Sequence, residues 1–305
     1  MDFDFRDRVA IVTGAGNGIG RSYALHLAAR GAKVVVNDPG VTVHGAGGNR
    51  SAADLVVAEI RARGGTAVAN HDSVASSSGG QAIADSAMEA FGRLDVLVNN
   101  AGVLRDKSFA KMTIEDFEFV LGVHFLGSVY CTKAAWPFLL AQSYGRVVLT
   151  TSGSGLTGAF GQSNYGAAKT AMVGLMNCLK LEGERANVLV NCISPSAETR
   201  MTEGMREVST CRFFKPEHVA AAVGWLASEA CNVSGEIIAA AAGSYTAIRL
   251  YRSPGVDFPP DQPPSDESFA EALPRLFDFT NARPLDGFAK QVQRRLAQQE
   301  HDTNH

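Results

Sequence analysis

The sequence predicts a doubly wound α/β fold, a parallel sheet covered on both faces by helices. Three observations carry that expectation. Short β-branched runs, apolar on both faces, alternate with helix-length segments over the first 240 residues, as successive βαβ units require. A glycine-rich turn, Thr13-Gly14-Ala15-Gly16-Asn17-Gly18-Ile19-Gly20, follows the first such run and opens a helix. Hydrophobic residues make up 46% of the 305 residues against 19% charged, which suits a chain with a large core rather than a disordered one.

In chain order, Val9–Thr13 is the first strand, and the glycine turn leads from it into a helix over Ile19–Arg30. Lys33–Asn37, with three consecutive valines, is the second strand. Gly40, Gly45, Gly47 and Gly48 then mark residues 40–50 as a flexible insertion. A helix over Ser51–Arg63 leads to the third strand, Ala67–Asn70, and a helix over Ser77–Phe91 leads to the fourth, Val96–Asn99. One long helix is expected over Thr113–Leu140, then a strand at Arg146–Thr150 and a helix over Ser163–Arg185. Leu189–Ile193, a helix over Pro216–Glu229 and a strand at Glu236–Ala239 complete the alternation.

Beyond about residue 250 the composition changes. Five of the 11 prolines stand at 254, 259, 260, 263 and 264, and proline's fixed φ and missing donor make this an extended linker. Helices are expected over Ser265–Leu276 and Leu285–Gln299. Their apolar groups (Phe269, Leu273, Leu276, Phe277 and Phe279) are too few for a separate core. The expected organisation is therefore one domain over 1–250 and an extension over 251–305 that packs on the domain or on a partner subunit.

A net charge of −3 and a pI near 6.2 give no electrostatic reason to expect nucleic acid or an anionic membrane. The cysteines at 131, 178, 192, 211 and 231 contain no CxxC pair, so neither a metal site nor a disulfide framework is expected. The charged start lacks a secretory pattern and no stretch of about 18 apolar residues offers a membrane span. The expected location is cytoplasmic.

Two constellations carry chemistry. Glycines at 14, 18 and 20 let the backbone approach a diphosphate at a helix N-terminus, with Asn17 and Ile19 in the same turn. Asp38 closes the second strand, where a carboxylate accepts hydrogen bonds from adenosine ribose hydroxyls and repels a 2′-phosphate, favouring NAD over NADP. The plain alternative is a solvated turn aspartate. Asp72-Ser73-Val74 follows the third strand, with Asp72 facing an adenine amino group and Val74 its ring. In the second constellation Tyr165 and Lys169 are spaced i, i+4 and emerge on one helix face. A nearby ammonium lowers the phenol pKa from its usual value near 10, making the tyrosine a usable acid or base. Ser152, 13 residues earlier, is suited to polarise a substrate oxygen, with Ser154 as the alternative.

Thr13–Gly20, Asn99-Asn100-Ala101-Gly102, Ser152, Tyr165-xxx-Lys169 and Asn191-xxx-Pro195 stand in the order and spacing of the short-chain dehydrogenases/reductases, which the chain resembles over about residues 5–245. The resemblance implies a Rossmann-type domain with a seven-stranded parallel sheet and hydride transfer between nicotinamide and a carbinol or carbonyl carbon. It implies Tyr165 as acid/base, Lys169 as the group that lowers its pKa and holds the nicotinamide ribose, and Ser152 as the orienter of the substrate oxygen. Asn99, Ala101, Gly102 and Pro195 then lie beside the cofactor, and Asn100 steadies the sheet edge. Where the family usually has asparagine in a Val-Asn-x-x-Gly context this chain has His124, in Val123-His124-Phe125-Leu126-Gly127. His124 is read either as keeping a relay water or as a core histidine bonded to a carbonyl. Pro195-Ser196 replaces the common Pro-Gly.

Val34–Asp38 with its insertion, Val68–Val74, Gly102–Phe109 and Phe160–Tyr165 are similar to one branch, the (3R)-hydroxyacyl-CoA dehydrogenase units of type 2 peroxisomal multifunctional enzymes. Lys215–Val219 and Phe277-Asp278-Phe279 extend that resemblance to about residue 282, and a free-standing bacterial version of the unit is expected. The resemblance implies NAD-dependent oxidation of a (3R)-3-hydroxyacyl-CoA. The alternatives are a hydroxysteroid dehydrogenase, or a reductase of steroid-derived substrates, and a non-catalytic NAD-sensing protein. Arg200, Arg206 and Arg212 are candidates to meet CoA phosphates, or are solvated. The long helices imply a homodimer or homotetramer.

Overall fold

A computed structural model describes residues 3–45, 47, 51–202, 210, 212–259 and 261–285. The expected helix over Leu285–Gln299, together with Gly48, Arg206 and Cys211, lies outside the described residues apart from Leu285. The chain forms two compact units, Met1–Ala247 and Ile248–His305.

In the first unit the strands are β1 (Val9–Thr13), β2 (Lys33–Asn37), β3 (Thr66–Asn70), β4 (Val96–Asn99), β5 (Gly145–Thr150), β6 (Val188–Ser196), β7 (Ile237–Ala241) and β8 (Ser244–Ile248). Their order is β3-β2-β1-β4-β5-β6-β7-β8, and every pairing from β3 through β7 is parallel. Parallel strands bring their C-terminal ends to one edge. The order reverses between β1 and β4, and such a reversal opens the crevice where doubly wound sheets bind ligands. All residues of β1, β4 and β5 are buried, as central strands covered on two faces must be.

Helices α1 (Gly18–Ala29), α2 (Ala52–Ala62), α3 (Ser77–Phe91), α4 (Ile114–Leu121), α5 (Gly127–Ala141), α6 (Gly153–Thr157), α7 (Ser163–Gly183) and α8 (Pro216–Ala227) cover the sheet. On one face α1 packs on α8, with Tyr23, Leu27, Val219 and Val223 sealed against the strands. On the other, α3 packs on α5 and α4 on α7. Caps place the ends. Ser76 accepts from the amide of Gly79 and Thr113 from that of Asp116, each satisfying an orphan donor of the first turn.

The seven expected parallel strands are present as β1–β7, and an eighth, β8, extends the sheet beyond β7. Ser244–Ile248 is almost entirely exposed along the sheet edge, so no buried apolar run announces it. The helix expected over Thr113–Leu140 is interrupted by a five-residue π turn, Gly122–Leu126, between α4 and α5. The wider turn is one that helices adopt at functional positions, and it carries the buried His124. The second unit contains α9 (Asp266–Leu276), capped by Ser265, and a short antiparallel pair, β9 (Tyr251–Arg252) with β10 (Arg283–Pro284).

At the opposite sheet edge, before β4, Asp95 is fully buried. Its carboxylate accepts from the Val9 amide at 2.9 Å, Arg8 at 3.0 Å and Arg93 at 2.8 and 2.6 Å, tying β1 to β4. Removing one partner of a buried ionic group costs several kcal/mol, and both arginines here are partly exposed. Asp95→Ala is expected to lower unfolding free energy by about 3 kcal/mol, measured by urea denaturation.

Candidate active site

The crevice begins as a stitch between two turns. The Thr13 hydroxyl accepts from the amides of Asn100 and Ala101 at 3.0 and 3.1 Å. The Asn100 amide group returns two bonds, to the carbonyls of Thr13 at 2.9 Å and Gly14 at 3.2 Å. Gly20 lies under this stitch. A Cβ there would stand 2.5 Å from Asn100 Nδ2 and would overlap the Gly14 carbonyl, so only glycine lets the helix start so close.

Asp38 is buried, not the solvated turn residue of the alternative reading. One carboxylate oxygen accepts from the Gly16 amide at 2.9 Å and the other from the Gly40 amide at 2.7 Å. An ionised carboxylate has about four acceptor positions, so each oxygen retains capacity toward the pocket it lines.

Two adjoining pockets share Ile19, Asn100, Thr199 and Met201. The smaller, about 260 Å³, is lined by the glycine turn (Gly14, Asn17, Gly18, Gly20), Asp38, Ser73, Val74, Ala101 and Gly102. The larger, about 440 Å³, brings together Ser152, Ser154, Tyr165, Lys169, His124 and Pro195. Two expected residues do not line either pocket. Asn99 turns into the core and donates to the Thr132 hydroxyl at 3.0 Å, and Asp72 accepts from Asn70 at 2.8 Å. Arg200 lines the smaller pocket rather than the larger one, and Arg212 lies over the Phe213 ring.

Tyr165 stands near the start of α7, whose neighbouring loop is tied down. The Asn164 side chain accepts from the Tyr165 amide at 2.7 Å and donates to the Arg105 carbonyl at 3.2 Å. Gln162, which lines the larger pocket, donates to Asp106 at 2.6 Å, and the Lys107 amide donates to the Gly161 carbonyl at 2.9 Å. The sequence pattern alone assigns no role to Gln162. Its position three residues before Tyr165 is the one sequence signal that marks it.

Burial pushes the Tyr165 phenol above its ordinary pKa, opposed by a hydrogen bond with Ser152 and aided by Asp106. Burial outweighs whatever a neighbouring ammonium contributes to the phenol. Lys169 is itself buried, and desolvation brings it down to about 7. Its Nζ donates to the Thr150 carbonyl at 2.7 Å and lies 5.6 Å from the Tyr165 ring centre. Burial, reinforced by Lys169, holds His124 well below the usual imidazole range. Its Nε2 is 3.0 Å from the Val103 amide nitrogen and 2.8 Å from the Val103 carbonyl oxygen, the geometry of the core-histidine reading. The ring meets Tyr165 edge-on, 5.2 Å between centres. Among the described residues, His124 Nδ1 and Thr150 Oγ1 are buried without a protein partner.

A glycine turn under a topological reversal, joined to a pocket with serine, tyrosine and lysine, defines a nucleotide-dependent oxidoreductase. The chain belongs to the short-chain dehydrogenase family, whose model matches residues 8–209. It is 46% identical to peroxisomal multifunctional enzyme type 2 of Drosophila melanogaster over 285 residues, 93% of this chain and 47% of that protein. The chain thus spans about half the length of that relative, whose solved structure superimposes with a TM-score of 0.82, covering 98% of this chain and 50% of that one, at 39% identity. A short-chain type dehydrogenase/reductase of Mycobacterium tuberculosis is 45% identical, covering 93% of this chain and 98% of its own. A 7α-hydroxysteroid dehydrogenase structure, complexed with NADH and 7-oxo glycochenodeoxycholic acid, superimposes with a TM-score of 0.72 at 28% identity, covering 79% and 96%. No helix among the described residues is long and apolar enough to cross a membrane.

A lysine whose folded pKa falls from 10.5 to about 7 disfavours folding progressively as pH drops between those values, because the unfolded chain takes the proton first. Below about 7 the parent carries the full cost, and above 10.5 it carries none. Lys169→Met is therefore expected to gain on the parent by several degrees of melting temperature as pH falls from about 10 to about 7, followed by thermal melts at both pH values.

Proposed function

We propose that this chain oxidises (3R)-3-hydroxyacyl-CoA to 3-oxoacyl-CoA with NAD. The observation that carries the reading is the convergence of Ser152, Tyr165 and Lys169 in one pocket adjoining the pocket of the glycine turn and Asp38. The residues fit a nicotinamide dinucleotide. Glycine leaves the turn open to a diphosphate, Asp38 keeps acceptor capacity, and His124 and Thr150 hold buried polar atoms in need of partners. When bound, the dinucleotide supplies the carbon that accepts the hydride.

Tyr165 acts as the phenolate, its own proton having passed to the neighbouring Lys169 amine, and its Oη takes the hydroxyl proton as the carbinol C–H bond gives up its hydride, so one proton and one hydride leave the substrate and the carbonyl forms. Ser152 hydrogen-bonds the same substrate oxygen and holds it toward the phenol. Lys169, with a proton affinity near neutral pH, exchanges a proton readily beside the tyrosine. A carboxylate at the end of β2, as Asp38 is, would repel the 2′-phosphate of NADP, which supports NAD as the cofactor.

Support for a thioester substrate comes from the branch resemblance together with 46% identity to a type 2 multifunctional enzyme. The second reading, a hydroxysteroid dehydrogenase, is supported by the bile-acid complex of the 7α-hydroxysteroid dehydrogenase neighbour. A homodimer or homotetramer paired through α4, α5 and α7 suits the exposed Ile114, Leu140 and Leu181 on those helices. A cytoplasmic location remains our reading, although several relatives are named as peroxisomal.

NADH formation with 3-hydroxyacyl-CoAs of each configuration and with free hydroxysteroids separates the two substrates. Turnover of steroids alone would overturn the thioester reading. Tyr165→Phe is expected to cut kcat by about 10³-fold while NADH binding, read by fluorescence, stays within about twofold. Asp38→Ala is expected to reduce the preference for NAD over NADP by about tenfold or more, measured as the ratio of kcat/KM values.

A further inference from the structure

Backbone hydrogen bonds join the described residues of the insertion after β2. Gly45 donates to the Thr42 carbonyl at 2.9 Å, closing a tight turn, and Thr42 donates to the Gly47 carbonyl at 3.1 Å. Val41, Thr42, Val43 and Gly45 line the smaller pocket, alongside Asp38 and Val74. Gly45 has φ +80, and a Cβ there would overlap the Phe119 ring of α4, so the turn is seated against that ring as only glycine allows.

The other side of this turn grips the segment after β4. The Leu104 amide donates to the Val43 carbonyl at 2.8 Å, and His44 Nδ1 stands 3.2 Å from the Leu104 carbonyl. A carbonyl only accepts, so in this contact Nδ1 carries the hydrogen. Both backbone groups of Leu104 are thereby engaged by consecutive residues of the insertion. Leu104 itself lines the larger pocket. Its neighbour Arg105 gives its carbonyl to Asn164, whose side chain holds the Tyr165 amide. A continuous run of hydrogen bonds and covalent neighbours therefore leads from the wall of one pocket to the catalytic helix beside the other.

We infer that residues 41–45 form a strap over the adenosine half of the dinucleotide, and that its grip on Leu104 makes Val43, His44 and Gly45 positioning residues for the substrate pocket. This rests on the dinucleotide reading above. A nucleotide that presses on the strap gains contacts only while the strap is seated, so its binding must tighten the grip on Leu104, and a seated strap must tighten nucleotide binding by the same factor.

The test uses the full chain and AMP, which occupies the adenosine half without reaching Tyr165. In the parent, AMP is expected to bind by calorimetry and to slow amide hydrogen exchange at Leu104. Gly45→Ala, which unseats the strap, is expected to weaken AMP binding about fivefold or more and abolish that slowing. His44→Ala is expected to do the same to a smaller degree, with His44→Gln restoring a donor and most of the affinity. Melting temperatures accompany each measurement, and if Gly45→Ala does not fold, the two His44 variants decide. Parent-like AMP affinity in the folded variants, or a Leu104 amide indifferent to AMP, overturns the strap. A parent that binds neither AMP nor NADH overturns the dinucleotide reading instead, and the strap falls with it.

Discussion

The stitch between Thr13 and Asn100 is the constraint on which the rest depends. At the reversal between β1 and β4 the connections run to opposite faces of the sheet, and nothing in the sheet ladder holds the two departing loops together. A hydroxyl accepting from two amides and a carboxamide donating to two carbonyls supply that closure. It keeps the backbone of both loops satisfied while leaving their outer surfaces free to line the crevice. Both pockets then share a wall that includes Asn100.

Around that closure the chain accepts local costs. Lys169 and His124 are buried ionisable groups, and both are pushed toward their neutral forms. Lys169, brought down to about 7, is poised to gain or lose a proton near neutral pH, whereas His124 is held toward its neutral form. The π turn serves the same neighbourhood. It carries His124 on a widened helical turn, where Nε2 reaches the Val103 peptide and the ring meets Tyr165.

Much of this architecture is legible in the chain because it rests on local pattern. Val9–Thr13, Lys33–Asn37, Ser77–Phe91 and Val96–Asn99 form in the structure with the bounds their residues suggest. Central strands announce themselves as short apolar runs, and a capped helix announces its start. What stays hidden depends on partners distant in sequence. Asn99 turns toward Thr132, 33 residues away, and not toward the crevice. The exposed β8 has no apolar face to betray it, and a π turn differs from an α turn by a single residue. Gly40 and Gly45 stand at φ of +75 and +80, and Gly45 also lies against the Phe119 ring, a contact that pattern along the chain does not disclose. The direction of the Tyr165 and Lys169 shifts also depends on burial, which spacing along a helix does not reveal.

Asp38 draws these themes into one residue. Its two oxygens hold the Gly16 and Gly40 amides, so the carboxylate that we propose faces the ribose also fixes the glycine turn to the start of the strap. Cofactor choice and loop geometry are therefore not independent variables for an engineer. A redesign that swaps this carboxylate for a phosphate-friendly side chain must also rebuild two backbone anchors. Supplying a new positive charge alone would leave the turn without its brace.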